Sequence, residues 1–177
     1  MKHFTCFLLT LCLITLEARG EPSEPNFEIT NNDGVVRVLT HGEVVWGNQF
    51  GLIIGPNNCD NNRLWLSISS YEDDLKMLEG RTVNFTWTVD DQSFPVELDV
   101  TYVVRLTKTI QVVLFNGVEL VPEFVNFLHQ SERLQMVING PELEASKFDI
   151  PEESFSLLGF KERYFEAVKS CEANSEN

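Results

Sequence analysis

The chain has 177 residues, 43% of them hydrophobic, with 13 Lys and Arg against 27 Asp and Glu, for a formal charge of −14. That length suits one domain with a substantial core. The acid excess excludes unaided binding to nucleic acid or anionic lipid, which needs a basic stripe.

Residues 1–20 read as a secretory leader. Met1, Lys2 and His3 form a short basic start, Phe4 to Leu16 is an uncharged apolar run, and Ala18-Arg19-Gly20 places small residues where a signal peptidase reads. The apolar run covers 13 residues, short of the roughly 18 needed to cross a bilayer. Cleavage after Gly20 removes Lys2, Glu17 and Arg19 and leaves 157 residues with a formal charge of −15. The expected product is exported, periplasmic or secreted, with no membrane span. Its cysteines are Cys59 and Cys171, and an even pair in an oxidising compartment points to one disulfide. Free thiols or an intermolecular bridge are the alternatives.

Residues 21–33 are polar and proline-rich and are expected to be a flexible lead-in to a single β-rich domain over 34–172, followed by a polar tail over 173–177. Val35 to Leu39, Glu43 to Trp46 and Leu52 to Ile54 read as strands punctuated by glycines. The Asx-rich stretch Asn57 to Asn62 reads as a loop. Arg63 to Ser69 alternates, with Leu64, Leu66 and Ile68 on one face and Trp65 on the other. Tyr71 to Glu79 is a polar excursion with one helical turn. Thr82 to Val89 alternates again, placing Val83, Phe85, Trp87 and Val89 opposite a threonine-rich face.

Two further strands are predicted at Val96 to Leu106 and Thr109 to Phe115, a turn at Asn116-Gly117, and a short helix over Pro122 to Gln130 with Pro122 near its first position. Leu134 to Ile138 is another strand, and Lys147 to Ile150 an edge strand able to pair with a peptide. A closing helix carries Leu157, Phe160, Tyr164, Val168 and Cys171 at helical spacing, with Ser154 or Ser156 as its cap and Glu152 and Glu153 near its positive end. Cys171 then falls on the buried stripe, placed to tie the helix to the Cys59 region. The fold class is α+β: an antiparallel sheet or sandwich with a short internal helix and a C-terminal helix packed on it.

No catalytic, cofactor or metal motif appears. His41 and His129 are the two histidines after the leader, too few for a zinc site without carboxylates. An EF-hand template laid from Asn58 meets Arg63 where glycine belongs and Ser69 where glutamate belongs. There is no G-x-S-x-G elbow. Asn84-Phe85-Thr86 is a glycosylation sequon, relevant in a eukaryote. Trp65, opposite the apolar face of its strand, is either a binding residue or buried by a second layer.

Trp46-Gly47, Cys59 followed by Leu64-Trp65-Leu66-Ser67, and Phe155-Ser156-Leu157-Leu158-Gly159-Phe160 with Cys171 downstream resemble small exported bacterial proteins of the invasion-associated locus B-like and type VI secretion accessory kinds. The resemblance spans residues 44 to 171 as scattered matches. It implies a periplasmic or secreted β-rich domain with a terminal helix and a disulfide, and it brings no active site with it. The expected function is non-enzymatic binding to another macromolecule, a protein, and a basic one if charge selects it, without a cofactor. The alternatives are a small-molecule or lipid carrier with a pocket between sheet and helix, and a hydrolase with a cryptic site.

Overall fold

The computed structural model describes residues 27–32, 34–55, 58–140 and 147–175. The leader, the proline-rich start of the lead-in and the last two residues lie outside them. Ten strands among the described residues form two antiparallel sheets.

The first sheet has the order β1 (Glu28–Asn32), β2 (Val35–His41), β3 (Gln49–Gly55), β4 (Asn58–Ser70), β8 (Gln111–Glu119) and β7 (Tyr102–Arg105). The second has the order β10 (Glu152–Ser156), β9 (Arg133–Asn139), β5 (Thr82–Val89) and β6 (Gln92–Asp99). A 3-10 turn covers Leu75–Leu78, and two helices complete the set: α1 (Pro122–Leu128) and α2 (Phe160–Ser175).

The core is what the alternation demands. Val83, Phe85, Trp87 and Val89 on β5 are buried, as are Leu64, Leu66 and Ile68 on β4. Across the layers Phe85 meets Phe115 edge-on at 5.2 Å and Phe50 meets Trp87 at 6.1 Å, geometries that aromatic quadrupoles favour. Helix α2 buries Phe160, Ala167 and Cys171 into this same core and rests chiefly on β2. The C-terminal helix on an antiparallel sheet is therefore as the sequence predicts.

Several local expectations give way to tertiary structure. Glu28 to Asn32, inside the expected lead-in, is the edge strand β1, because Ile29 packs on the core and the segment pairs with β2. Residues 43–46 form a turn, not a strand. The described part of the Asx-rich stretch, 58–62, is the start of the long β4, held by pairing with β3. The single strand expected over Val96 to Leu106 divides at Val100-Thr101, so that β6 serves one sheet and β7 the other. Gly117 of the expected turn lies within β8.

At the C-terminal end, residues 147–150 are turn and bend, and the edge strand is β10 instead. Ser154 and Ser156 lie on β10 and cap nothing. Gly159, at φ 80°, makes the turn into α2, with Arg163 N–H donating to its carbonyl at 3.1 Å. The expected polar tail is helical as far as Ser175.

Cys59 and Cys171 form a disulfide with a Cα–Cα distance of 5.8 Å, 112 residues apart in sequence. It joins the start of β4 to the far end of α2. Among the described residues no helix is long and apolar enough to cross a membrane. Replacing both cysteines with alanine should lower the unfolding free energy by about 2–5 kcal/mol. Urea titration of the double variant against the oxidised protein reads this directly, and unchanged midpoints would show the bond to be incidental.

Candidate functional site

The most constrained local arrangement surrounds Glu153, a carboxylate only 3% exposed. It lies on β10 in phase with core-facing Phe155 and pairs across the ladder with Met136. Its Oε1 accepts from the N–H groups of Val44 and Ser154, both at 2.8 Å. Its Oε2 accepts from Val45 N–H at 2.9 Å and Asn48 Nδ2 at 2.7 Å. Asn48, also buried, accepts in turn from Ser69 N–H at 2.6 Å. Four donors thus satisfy the charge without a cation, the way a buried carboxylate avoids its desolvation cost.

Gly42 is part of the same arrangement. A Cβ there would collide with the Glu153 carboxylate and lie 2.7 Å from the Val45 carbonyl, so the close approach requires glycine. A backbone bond from Gly42 N–H to the Asn48 carbonyl at 2.9 Å closes the turn, and one from Glu43 N–H to the Ser154 carbonyl at 2.8 Å fastens it to β10.

The pinned turn presents Trp46 to solvent, 75% exposed. One face of the indole stacks on His41, with centroids 4.2 Å apart and planes 7° from parallel. His41 also contacts the Trp46 carbonyl through Nδ1 at 2.8 Å and Glu28 through Nε2 at 3.6 Å. A large aromatic held in one place, with its other face free, is well suited to contact.

The outer face of the first sheet is apolar at its β8–β7 end. Tyr102 and Val104 on β7 are exposed and stand opposite Leu114 and Val112 of β8. Leu106 continues the row, and Val44 and Tyr71 are exposed on the adjoining turns. The outer face of the second sheet differs: Asn84, Thr86, Thr88, Ser93, Gln135 and Asn139 line it. No large exposed apolar residue among those described lies on β5, β6, β9 or β10. Single exposed apolar residues are ordinary, but a row of three along one edge strand is not.

The β7 edge is guarded. Val103 N–H donates to Glu79 Oε1 at 2.8 Å, and Lys76 pairs with the same carboxylate. The donor that an incoming strand would need is occupied, a common protection for an edge.

Trp65, singled out from the sequence, is neither an exposed platform nor covered by the second sheet. It lies on the outer face, half-buried, with the Arg37 guanidinium 5.4 Å from its ring centroid. A cation already occupies it. Asn84 is half-buried on the outer face of β5. His41 and His129 serve different surroundings. His129 packs against Phe160, Tyr164 and Phe165 with centroids at 5.3, 4.8 and 5.5 Å. Burial first, then the nearby Lys161 charge, lowers its pKa. The disulfide consumes both thiols. Among the described residues, no three His, Cys, Asp or Glu side chains are grouped to hold a metal.

Sequence reasoning missed Glu153 and Trp46, assigning one to a helix terminus and the other to the end of a strand. The signal for Glu153 was its phase: it shares the alternation of Phe155 and Leu157. No local pattern marked Trp46.

Glu153→Gln would turn an amide NH2 toward N–H donors and orphan at least one of them. It should destabilise the fold by about 1–3 kcal/mol and raise hydrogen exchange at Val44 and Val45. A second expectation concerns pH. Hydrogen bonds from Lys76 and then Val103 lower the Glu79 pKa from 4.5. This contribution is complete above pH 4.5 and is lost as pH falls through the lower folded value. Glu79→Gln should therefore flatten the acid limb of a stability–pH curve, and an unchanged limb would contradict it.

No family model, curated protein or solved structure matches the chain.

Proposed function

We propose that the chain is an exported, non-enzymatic binding protein that contacts another macromolecule through the outer face of its first sheet, next to the Trp46 turn. The observation that carries this reading is the asymmetry of the sandwich. One outer face is polar, and the other sets out Trp46, Tyr102, Val104 and Leu106. Export is supported by the leader read from residues 1–20 and by the disulfide, a bond that persists in oxidising compartments. The resemblance to exported bacterial proteins points to the periplasm or the secreted fraction. The acid excess favours a basic partner, whose approach it would accelerate at low salt.

A second reading has its own observation. An apolar slot of about 180 Å³ opens between β6, β8 and α1, lined by Trp87, Phe94, Val96, Leu98, Leu120 and Phe124 among others. It would suit a small apolar ligand carried in a pocket between sheet and helix. Ligand retained in a native mass spectrum of the purified protein would favour that reading.

Cross-linked capture from the native envelope or secretion fluid, quantified by mass spectrometry, separates the two. Tyr102→Glu with Val104→Glu, and separately Trp46→Ala, should each reduce recovery of the dominant partner about tenfold or more. Thermal unfolding should barely change, since these side chains are exposed. Equal recovery from all variants would reject the face.

A further inference from the structure

Beneath the Trp46 turn lies a cleft of about 230 Å³, between Val45 and Gly47 of the turn, Ser69 to Tyr71 at the end of β4, Leu106 and Ile110 after β7, and Asp149 and Ile150. It adjoins the apolar face, so a role for it in binding rests on the reading of that face as a contact surface. Val45, Leu106, Ile110 and Ile150 make its walls aliphatic. Asp149 is the one charged residue of the lining, and its Oδ1 accepts from Tyr71 N–H at 3.2 Å. Among the described residues no lysine, arginine or histidine makes an ion pair with it.

Aliphatic walls with one carboxylate are the complement of a long aliphatic stem with one cationic head. Asp149 is exposed, so a fully apolar side chain would gain nothing from its carboxylate, and an acidic one would be repelled. The surroundings carry both signs: Glu72, Asp73 and Asp74 follow Tyr71, Arg105 meets Asp73 at 3.9 Å, and Lys108 and Lys147 lie near the rim, so selection falls to Asp149 itself. With one oxygen already holding the Tyr71 amide, Asp149 offers less to a two-pronged guanidinium than to a compact ammonium.

We infer that this cleft receives a lysine side chain of the partner, its methylenes against Val45, Leu106 and Ile150 and its ammonium at Asp149. The site explains how an acidic protein would select within a basic partner: charge brings the partner near, and the cleft admits one residue type.

The test uses two probes on the mature, oxidised protein: a blocked Gly-Gly-Lys-Gly-Gly peptide and the same peptide with acetylated lysine. Affinity is read from amide NMR shifts. A single anchoring residue should bind at about the millimolar level, shifting Val45, Tyr71, Ile110 and Ile150. Acetylation of the peptide, or Asp149→Asn in the protein, should weaken binding about tenfold, the loss expected of one charge-assisted hydrogen bond. Equal affinity for both peptides, indifference to Asp149→Asn, or no shift at these amides would each overturn the inference. Tyr102 and Val104 do not line the cleft, so partner capture with their variants judges the face separately. Loss of capture there together with a silent cleft would leave the face and remove the lysine site.

Discussion

One buried carboxylate organises the end of this molecule that carries Trp46. Glu153 sits on the core side of β10 and gathers three backbone N–H groups and the Asn48 amide. An unpaired charge at that depth would be strongly unfavourable, so the turn over 42–48 and the strand beneath it depend on each other. The turn has no regular hydrogen-bond ladder, and the carboxylate supplies the acceptors a ladder would have offered. Asn48 extends the arrangement to Ser69 on β4. Two sheets are thereby linked through side-chain oxygens at the point where the exposed tryptophan and the cleft are found.

The other end is organised differently. There the disulfide fixes the last part of α2 to the first part of β4, and aromatic rings around His129 and Phe160 fill the space between α1 and α2. The second sheet has four strands against six in the first. The helix occupies part of the area left over, burying Phe160, Ala167 and Cys171 against β2 and its neighbours. A covalent staple and a packed helix stabilise one end, and polar satisfaction of a single acid stabilises the other.

The framework is legible where periodicity is strict. Thr82 to Val89 and Arg63 to Ser69 alternate without error, and Phe160 to Cys171 has helical spacing; all three fold as their patterns dictate, whereas Leu157, expected on the same helix, lies in the link before it. Legibility fails where long-range partners decide the outcome. Asn58 to Asn62 is composed like a loop and is a strand, because β3 supplies a ladder that local propensity does not foresee. Lys147 to Ile150 has the composition of an edge strand, yet the register of β9 selects Glu152 to Ser156 instead. At the candidate site the difficulty is deeper. Glu153 reads locally as an ordinary acid near a helix start, and only the fold brings the turn of residues 43–48 within its reach. Trp46 is exposed because its turn is anchored from a strand more than a hundred residues later.

That separation also orders events in time. A chain made from its N-terminus releases Cys59 well before Cys171, 112 residues behind it. At about 5–20 residues per second the first thiol waits roughly 6–22 seconds for its partner. During that interval β4 is present but α2 is not, so the bond cannot form correctly until most of both sheets has been made. Its closure acts as a completion mark: a chain interrupted anywhere in between still exposes a reactive sulfur, and is chemically distinguishable from a finished one before its shape is ever tested.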